Sequence, residues 1–590
     1  MPQKINQNYQ RFSKLSQELF FFICLVAKKE SEIRSVTIIK FLGSMLKIEV
    51  TMSWINQIIR REEIKRPQGR PSKQYIMKEK NEYFLKIEVI YQETIDKMGI
   101  LLIQDIMKYY KLNDLFVDLL KKAQKEIDTN RFKQKTEKLE NFIDTMTAIS
   151  LDPSVNNFEE AINADISHCP MSCAQARDLV KNLEKSKMII NQTMESFVDY
   201  WIKFIETNEN KEIQFIIYID GHIKPYFSKE THVCGKISAS EKVMPGTKYV
   251  IATCSNGYVL DIRNIEVDMP YGEKVIEMIK YLSIKLENRI KLVIMDREGC
   301  GKELNNKIDS DFKIKTLTPL RSNQYKSLED FTCEKIGDNL YKGNWKDSKK
   351  LEEDSRNLII IDYIERLCVF ATTDEEIGIE TQKTYKTRWP NNEEIIKYLN
   401  MITGFNTNIS NGIESIPNPK KTREIEELGK KIKSSENKIK NYKEVKINLI
   451  NNSEIKRYDK QIMNANNKIK NYKEKIKKTG EINPVKIRKT EPDNFIAFLK
   501  AGILNLFRFI LIKCLELDTE KNKPPVEKMW QMLINRKGKI IENYYEKVYI
   551  FDTPSTVENI KLLTMFCNNF NKLNITTYNG KNIILKFNSS

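Results

Sequence analysis

An α/β multidomain chain with a mixed sheet at its centre, a helical head and a long coiled-coil arm is what this sequence predicts. Three patterns carry that expectation. Apolar runs of strand length alternate with helical periodicity between Ile213 and Leu317, residues 1–80 are basic and helical in rhythm, and apolar residues recur at spacings of three and four through 424–478. At 590 residues the chain is too long for one core, and 41% hydrophobic with 30% charged residues is a globular composition. Lys and Arg number 98 against 80 Asp and Glu, a net charge of +18. That surplus points to a polyanionic partner, nucleic acid before anionic membrane, although abundant Lys, Asn and Ile also fit an AT-rich coding sequence. The run Leu19–Ala27 is about half the roughly 20 residues a bilayer needs, and Ala501–Leu517 is interrupted by Asn505, Arg508, Lys513 and Glu516. No membrane is expected. His168, Cys169 and Cys173, with His232 and Cys234, lack CxxC spacing and read as scattered residues before they read as zinc ligands.

The head, 1–80, has a short helix at Thr37–Leu46 and a second capped by Thr51. Trp54, Ile55, Ile58 and Ile59 share one face of the second helix, while Arg60 and Arg61 point elsewhere. Helix-turn-helix modules meet a major groove this way, and a plain helical hairpin has the same pattern. Arg66 and Arg70 follow in an extended, proline-pinned basic arm of the kind that enters a narrow minor groove. Residues 81–210 read as a helical connecting domain.

Within 211–320, strands are expected at Phe215–Ile219, Lys248–Cys254, Tyr258–Ile265, Ile290–Met295 and Phe312–Leu317, with helices at Tyr271–Glu287 and Lys302–Ile308. Three strands, a helix and a fourth strand are the order of an RNase H-like core. There the first and fourth strands are neighbours, which would bring Asp220 and Asp296 together. A β-rich insertion follows at 321–385, including Leu358–Tyr363 and Leu367–Ala371. Residues 386–423 return to the core with a helix opening at Pro390 and carrying Glu393 and Glu394. The coiled coil at 424–480 breaks near Asn451-Asn452-Ser453 and either folds back on itself or pairs two chains. The last segment, 481–590, has a buried helix at Phe495–Leu517 and strands at Lys547–Phe551 and Asn582–Phe587.

Two aspartates at strand ends and a glutamate at a helix start make a hard oxygen site suited to Mg²⁺ or Mn²⁺. A two-metal site of this kind activates a water or a 3′-hydroxyl against a phosphodiester. Paired carboxylates also serve glycosidases, but the basic charge favours a phosphate substrate.

Tyr218-Ile-Asp220-Gly-His222-Ile-Lys224-Pro-Tyr226, Met295-Asp296-Arg-Glu-Gly299 and Arg388-Trp389 with Glu393 and Lys397-Tyr398 resemble the three acidic motifs of bacterial insertion-sequence DDE transposases. Pro245-Gly246-Thr247 resembles the same group, and the likeness covers about 210–420. It implies an RNase H-like domain that cuts and joins transposon-end DNA with divalent metal, Asp220, Asp296 and Glu393 being both the catalytic and the metal set. Three residues separate Trp389 from Glu393 where the family has two. Alignment on Lys397-Tyr398 selects Glu393, with Glu394 the rival. Tyr385, Arg388 and Lys397 would hold phosphates, and His222 and Lys224 would touch DNA. The expected partners are double-stranded DNA, at transposon ends and target, and a second copy of the chain in a homodimer on DNA. A catalytically inactive, domesticated DNA-binding protein and an RNase H-like nuclease are the other readings. The location would be the nucleoid in a bacterium and the nucleus in a eukaryote.

Overall fold

The computed structural model describes residues 93–127, 136–151, 169–209, 214–226, 233–237, 242–479, 484–517 and 525–587, apart from short breaks of which the longest is 448–451. All of these belong to one unit, Ile90–Ser590. The expected head at 1–80, with Arg60, Arg61, Arg66 and Arg70, lies outside the described residues, as do His168 and His232.

Among the described residues a three-residue strand, β1 (Glu93–Ile95), is followed by helices α1 (Gly99–Tyr109), α2 (Leu112–Ile127), α3 (Thr136–Leu151), α4 (Cys173–Leu183) and α5 (Ile189–Asn208). The apolar stripe of α2 buries Leu112, Phe116, Leu119 and Leu120, as its 3.6-residue period requires. Ser172 caps α4 in a reciprocal capping box with Gln175.

The large sheet then forms from β2 (Phe215–Pro225), β3 (Cys234–Ile237), β4 (Lys242–Cys254) and β5 (Val259–Glu266), followed by α6 (Gly272–Lys285), β6 (Ile290–Met295), α7 (Lys302–Phe312) and β7 (Lys315–Pro319). It continues through β8 (Phe331–Gly337), β9 (Leu340–Trp345), α8 (Ser348–Glu353), β10 (Asn357–Tyr363) and β11 (Arg366–Thr372). The order is β3-β4-β2-β6-β7-β11-β10-β9-β8, with β5 also on β4. β2 runs parallel to β6 and β6 parallel to β7, while the other pairings are antiparallel. Residues 321–385, expected as a β-rich insertion, carry β8 to β11, and the large sheet runs on into them. β11 pairs with β7 and carries the same sheet outward. The strand expected from Phe312 begins instead at Lys315, because Phe312 ends α7 and Lys313 adopts the left-handed conformation that closes the helix.

A short helix α9 (Thr381–Lys386) leads to a π-helical turn, Trp389–Glu393, and to α10 (Glu394–Thr403). Next come β12 (Ile413–Pro417), two long helices α11 (Pro419–Ile447) and α12 (Asn452–Thr479), and β13 (Pro484–Arg488). β12 and β13 pair as an antiparallel ribbon at the base of the helix pair. The chain closes with α13 (Glu491–Leu515), α14 (Val526–Leu533), β14 (Gly538–Glu542), β15 (Glu546–Phe551), α15 (Val557–Lys572) and β16 (Asn582–Phe587). β14, β15 and β16 form a second sheet with β1, whose three residues are too few to show alternation in the sequence.

α13 is long and apolar enough to cross a membrane, and 94% of its apolar window is buried in the protein. It packs on α5, α10 and β5, so helices from 99–208 share one core with 491–587. Asn505, fully buried in α13, donates to Val259 O and accepts from Val259 N at 2.9 Å each, satisfying a backbone position that β5 leaves unpaired.

Candidate active site

β2 and β6 are parallel and, after one register shift at Phe215, run in register from Ile216 facing Leu292 to Ile219 facing Met295. There β6 stops, while β2 continues against β4 as far as Pro225. Asp220 and Asp296, each one residue further on, stand at adjacent strand positions beside the gap that β6 leaves. Asp296 caps the short turn Arg297–Cys300, its Oδ1 accepting from Glu298 N at 2.9 Å and from the Tyr271 hydroxyl at 2.8 Å. Burial and then Asp296 push the Tyr271 hydroxyl far above its ordinary range, so it stays protonated and remains a donor.

The third acid arrives from the π-helical turn. Asn392, fully buried there, donates to Thr253 Oγ1 at 3.0 Å and to Tyr218 O at 3.4 Å, while the Tyr218 hydroxyl meets Thr387 Oγ1 at 2.8 Å. These bonds fix the turn onto β2 and β4. Arg388 then spans the acids: Nη2 donates to Asp220 Oδ2 at 2.6 Å and Nη1 is paired with Glu393 Oε1. Glu394 turns away and accepts from Trp389 Nε1 at 3.1 Å. Of the two neighbouring glutamates, Glu393 is the one that reaches Arg388.

Desolvation pushes the Asp220 carboxyl up to about 6, with Asp296 and Glu393 adding to it and Arg388 and the Gly221 amide opposing it. Burial lowers the Arg388 guanidinium, but Asp220, Tyr385 and Glu393 more than offset this and keep it charged. Among the described residues no three His, Cys, Asp or Glu side chains converge closely enough to hold a metal ion as they stand. The guanidinium is the cation that joins two of the expected ligands, and its buried Nε has no hydrogen-bond partner among those residues. An oxygen-only donor set that already holds a cation fits a hard divalent ion in place of the Arg388 fork.

The other expected contacts fall differently. Lys224 is a correction: it is 3% exposed and paired with Asp493 at 3.3 Å, so it is not available to DNA. His222 is held by Asn406 Oδ1 at 2.8 Å and packs edge-on against Phe405 at 5.6 Å, and burial lowers its pKa. It is a wall of the site and not an open contact. The Tyr385 ring lies 4.8 Å from Phe370, on the apolar face of the sheet, while Lys397 is exposed on α10. Arg388 contacts carboxylates and not solvent.

Two residues that sequence reasoning missed complete the surroundings. Lys248 is paired with Glu298 and lies 5.1 Å above the Tyr271 ring. A Cβ at Gly221 would fall 2.9 Å from Lys248 Cε, so glycine lets this pair lie against the strand beside Asp220. Glu298 was visible in Met-Asp-Arg-Glu-Gly, but nothing local announces Lys248.

No family model matches the chain, and no curated protein does. Among solved structures, the piggyBac transposase synaptic complex with hairpin DNA is similar at 13% identity, covering 73% of this chain and 85% of that chain with a TM-score of 0.31.

Proposed function

We propose that this protein is a DDE-type DNA transposase that cuts and joins DNA at transposon ends through an RNase H-like core. The observation that carries the reading is the parallel pairing of β2 with β6, which ends at Ile219 and Met295 and leaves Asp220 and Asp296 side by side. Further support comes from the strand order β5-β4-β2-β6-β7 and from the turn that brings Glu393, through Arg388, to Asp220. The three acidic motifs of the sequence make the same choice. Asp220, Asp296 and Glu393 would hold Mg²⁺ or Mn²⁺, which when bound supplies the activation of a water or 3′-hydroxyl and the stabilisation of the leaving oxygen.

This chain's own groups have separable tasks. Asp296 keeps one oxygen committed to the Tyr271 hydroxyl and the Glu298 amide, so its Oδ2 is the oxygen left to face the site. Arg388 donates to Asp220 and pairs with Glu393, so its fork would orient the two carboxylates that, with Asp296, would hold the metal. Lys397, exposed on the helix that follows the acidic turn, would meet phosphate further along the duplex. The head at 1–80 and pairing of two chains on DNA belong to this proposal as expectations.

The test uses a duplex carrying the DNA that flanks the gene, with Mg²⁺ present. Asp220→Asn, Asp296→Asn and Glu393→Gln should each abolish strand cleavage while duplex binding persists, and Glu394→Gln should leave cleavage intact. Full cleavage by Asp220→Asn would overturn the assignment. Cleavage without joining would make the protein a nuclease.

A further inference from the structure

The helix pair α11 and α12 carries more than half of the chain's net positive charge. Residues 419–479 contain 19 Lys and Arg against 8 Asp and Glu, so this tenth of the sequence carries +11 of the total +18. Each helix packs chiefly on the other. Ile425, Leu428, Ile432, Ile439 and Tyr442 on one side, with Ile455, Tyr458, Ile462, Ala465, Ile469, Tyr472 and Ile476 on the other, are the buried or half-buried positions, and nearly everything between them is exposed. Tyr442 and Tyr458 meet at 5.8 Å near the tip, where Lys446 pairs with Asp459. At the base, Lys421 Nζ reaches Thr479 O at 3.5 Å.

We propose that this arm is a second DNA interface, separate from the catalytic site, that holds duplex DNA by its phosphates. A 29-residue helix is about 40 Å long, the length of about 12 base pairs. Lys433 and Lys440 on α11, and Lys456, Lys470 and Lys477 on α12, are exposed and recur at multiples of seven, so each set forms a line along its helix. Asn437, Asn441, Asn467 and Asn471 stand exposed among the lysines and add neutral donors for phosphate oxygens. An anionic membrane is the poorer partner. Helices that lie on membranes offer an apolar face, and here the seam consumes it. The choice of duplex DNA among polyanions rests on the proposed transposase function, whereas the basic arm does not.

The experiment uses the full chain and follows duplex binding by fluorescence anisotropy over a range of salt. Replacing Lys433, Lys440, Lys456, Lys470 and Lys477 together by Gln should flatten the plot of log affinity against log salt by about 4, the counterion release of five phosphate contacts. Arginine at the same five positions should restore the slope, with circular dichroism showing equal helix content in both variants. An unchanged slope in the Gln variant, no duplex binding by the wild type, or capture by anionic vesicles but not by duplex would each overturn the proposal. Asp220→Asn protein should keep the full slope, so loss of cleavage and loss of the arm's contact are read separately.

Discussion

Asp220 and Lys224 stand four residues apart on β2, about 13 Å, and strand alternation sends both to the same face. Their surroundings have opposite charge problems. Around Asp220, the Asp220 and Glu393 carboxylates share the Arg388 guanidinium, with Asp296 at the adjacent strand end. Around Lys224, that lysine and Arg488 share Asp493, Arg488 lying 3.5 Å from it, while a second buried lysine, Lys500, donates to Gly404 O at 2.6 Å. The acidic group is partly open, the Asp220 and Glu393 side chains being 19% and 33% exposed, whereas Lys224 and Asp493 are 3% and 1% exposed. An open surplus of negative charge is completed by a cation from solution. A closed surplus of positive charge has no such partner, and burial lowers the pKa of both Lys224 and Lys500 instead. Charge at a strand exit is thus a functional signal only where the cover is incomplete. At Lys224 the first turn of α13 supplies that cover.

The largest test of this contrast is Asp493→Ala. Asp493 Oδ1 accepts from Lys224 Nζ at 3.3 Å and from Ile409 N at 2.8 Å, and both donors are buried. Removing it strands an amine and an amide in the core, so the chain should lose about 3–5 kcal/mol of unfolding free energy. Chemical denaturation of the wild type and variant measures it. A loss below about 1 kcal/mol would mean that the two pockets do not differ in this way.

Asp220→Asn should act in the opposite direction. The Asp220 carboxyl is raised from 3.8 to about 6 by desolvation, so the folded protein holds this proton more tightly than the unfolded chain does. The ionised form therefore lowers stability, by nothing below about pH 4 and by its full amount above about pH 6. The asparagine variant removes that penalty and should be more stable than the wild type at pH 7–8 by up to about 3 kcal/mol, with the gap closing as the pH falls through 6 towards 4. Thermal melts across that range, without divalent metal, decide it. A variant less stable than the wild type at pH 8 would show that the Arg388 pairing outweighs the desolvation.

These opposite signs mark where the sequence is readable. The runs 215–219 and 292–295 are apolar on both faces, so their identity as central strands is local information. The neighbourhood of Asp220 and Asp296 follows from strand order. Lys224 reads as a DNA contact in the sequence because its partner lies 269 residues away, on a helix with no mark of where its first turn lands. Arg388 carries the same lesson with a different ending: its charge is legible, but its placement on two carboxylates depends on a turn held by Asn392 against Thr253 and Tyr218. The continuity of the sheet from β7 into β11 joins Leu317 to Thr372, and no local pattern announces a pairing across that gap.

The smallest expected effect separates the two buried lysines. Lys500 is 2% exposed, and its amine donates to the Gly404 carbonyl, so replacing it takes a partner from a backbone oxygen and not from a carboxylate. Burial, with Lys224 nearby, holds its amine well below the ordinary lysine range, and Asp493 only partly opposes this. A depressed lysine weakens the fold at low pH, where the unfolded chain takes up the proton more readily, and this penalty fades as pH rises towards the ordinary lysine range. Lys500→Met keeps the stem's packing, removes the amine and gives up one hydrogen bond of about 1 kcal/mol net. Its deficit of about 1 kcal/mol should appear near the ordinary lysine range, and its stability should improve relative to the wild type as the pH falls. Lys224→Met, by contrast, takes a partner from Asp493 and should cost more at every pH. If Lys500→Met proved as damaging as Asp493→Ala, Lys500 would have to be charged and paired, and the closed pocket would hold its surplus by ion pairing instead of neutralisation.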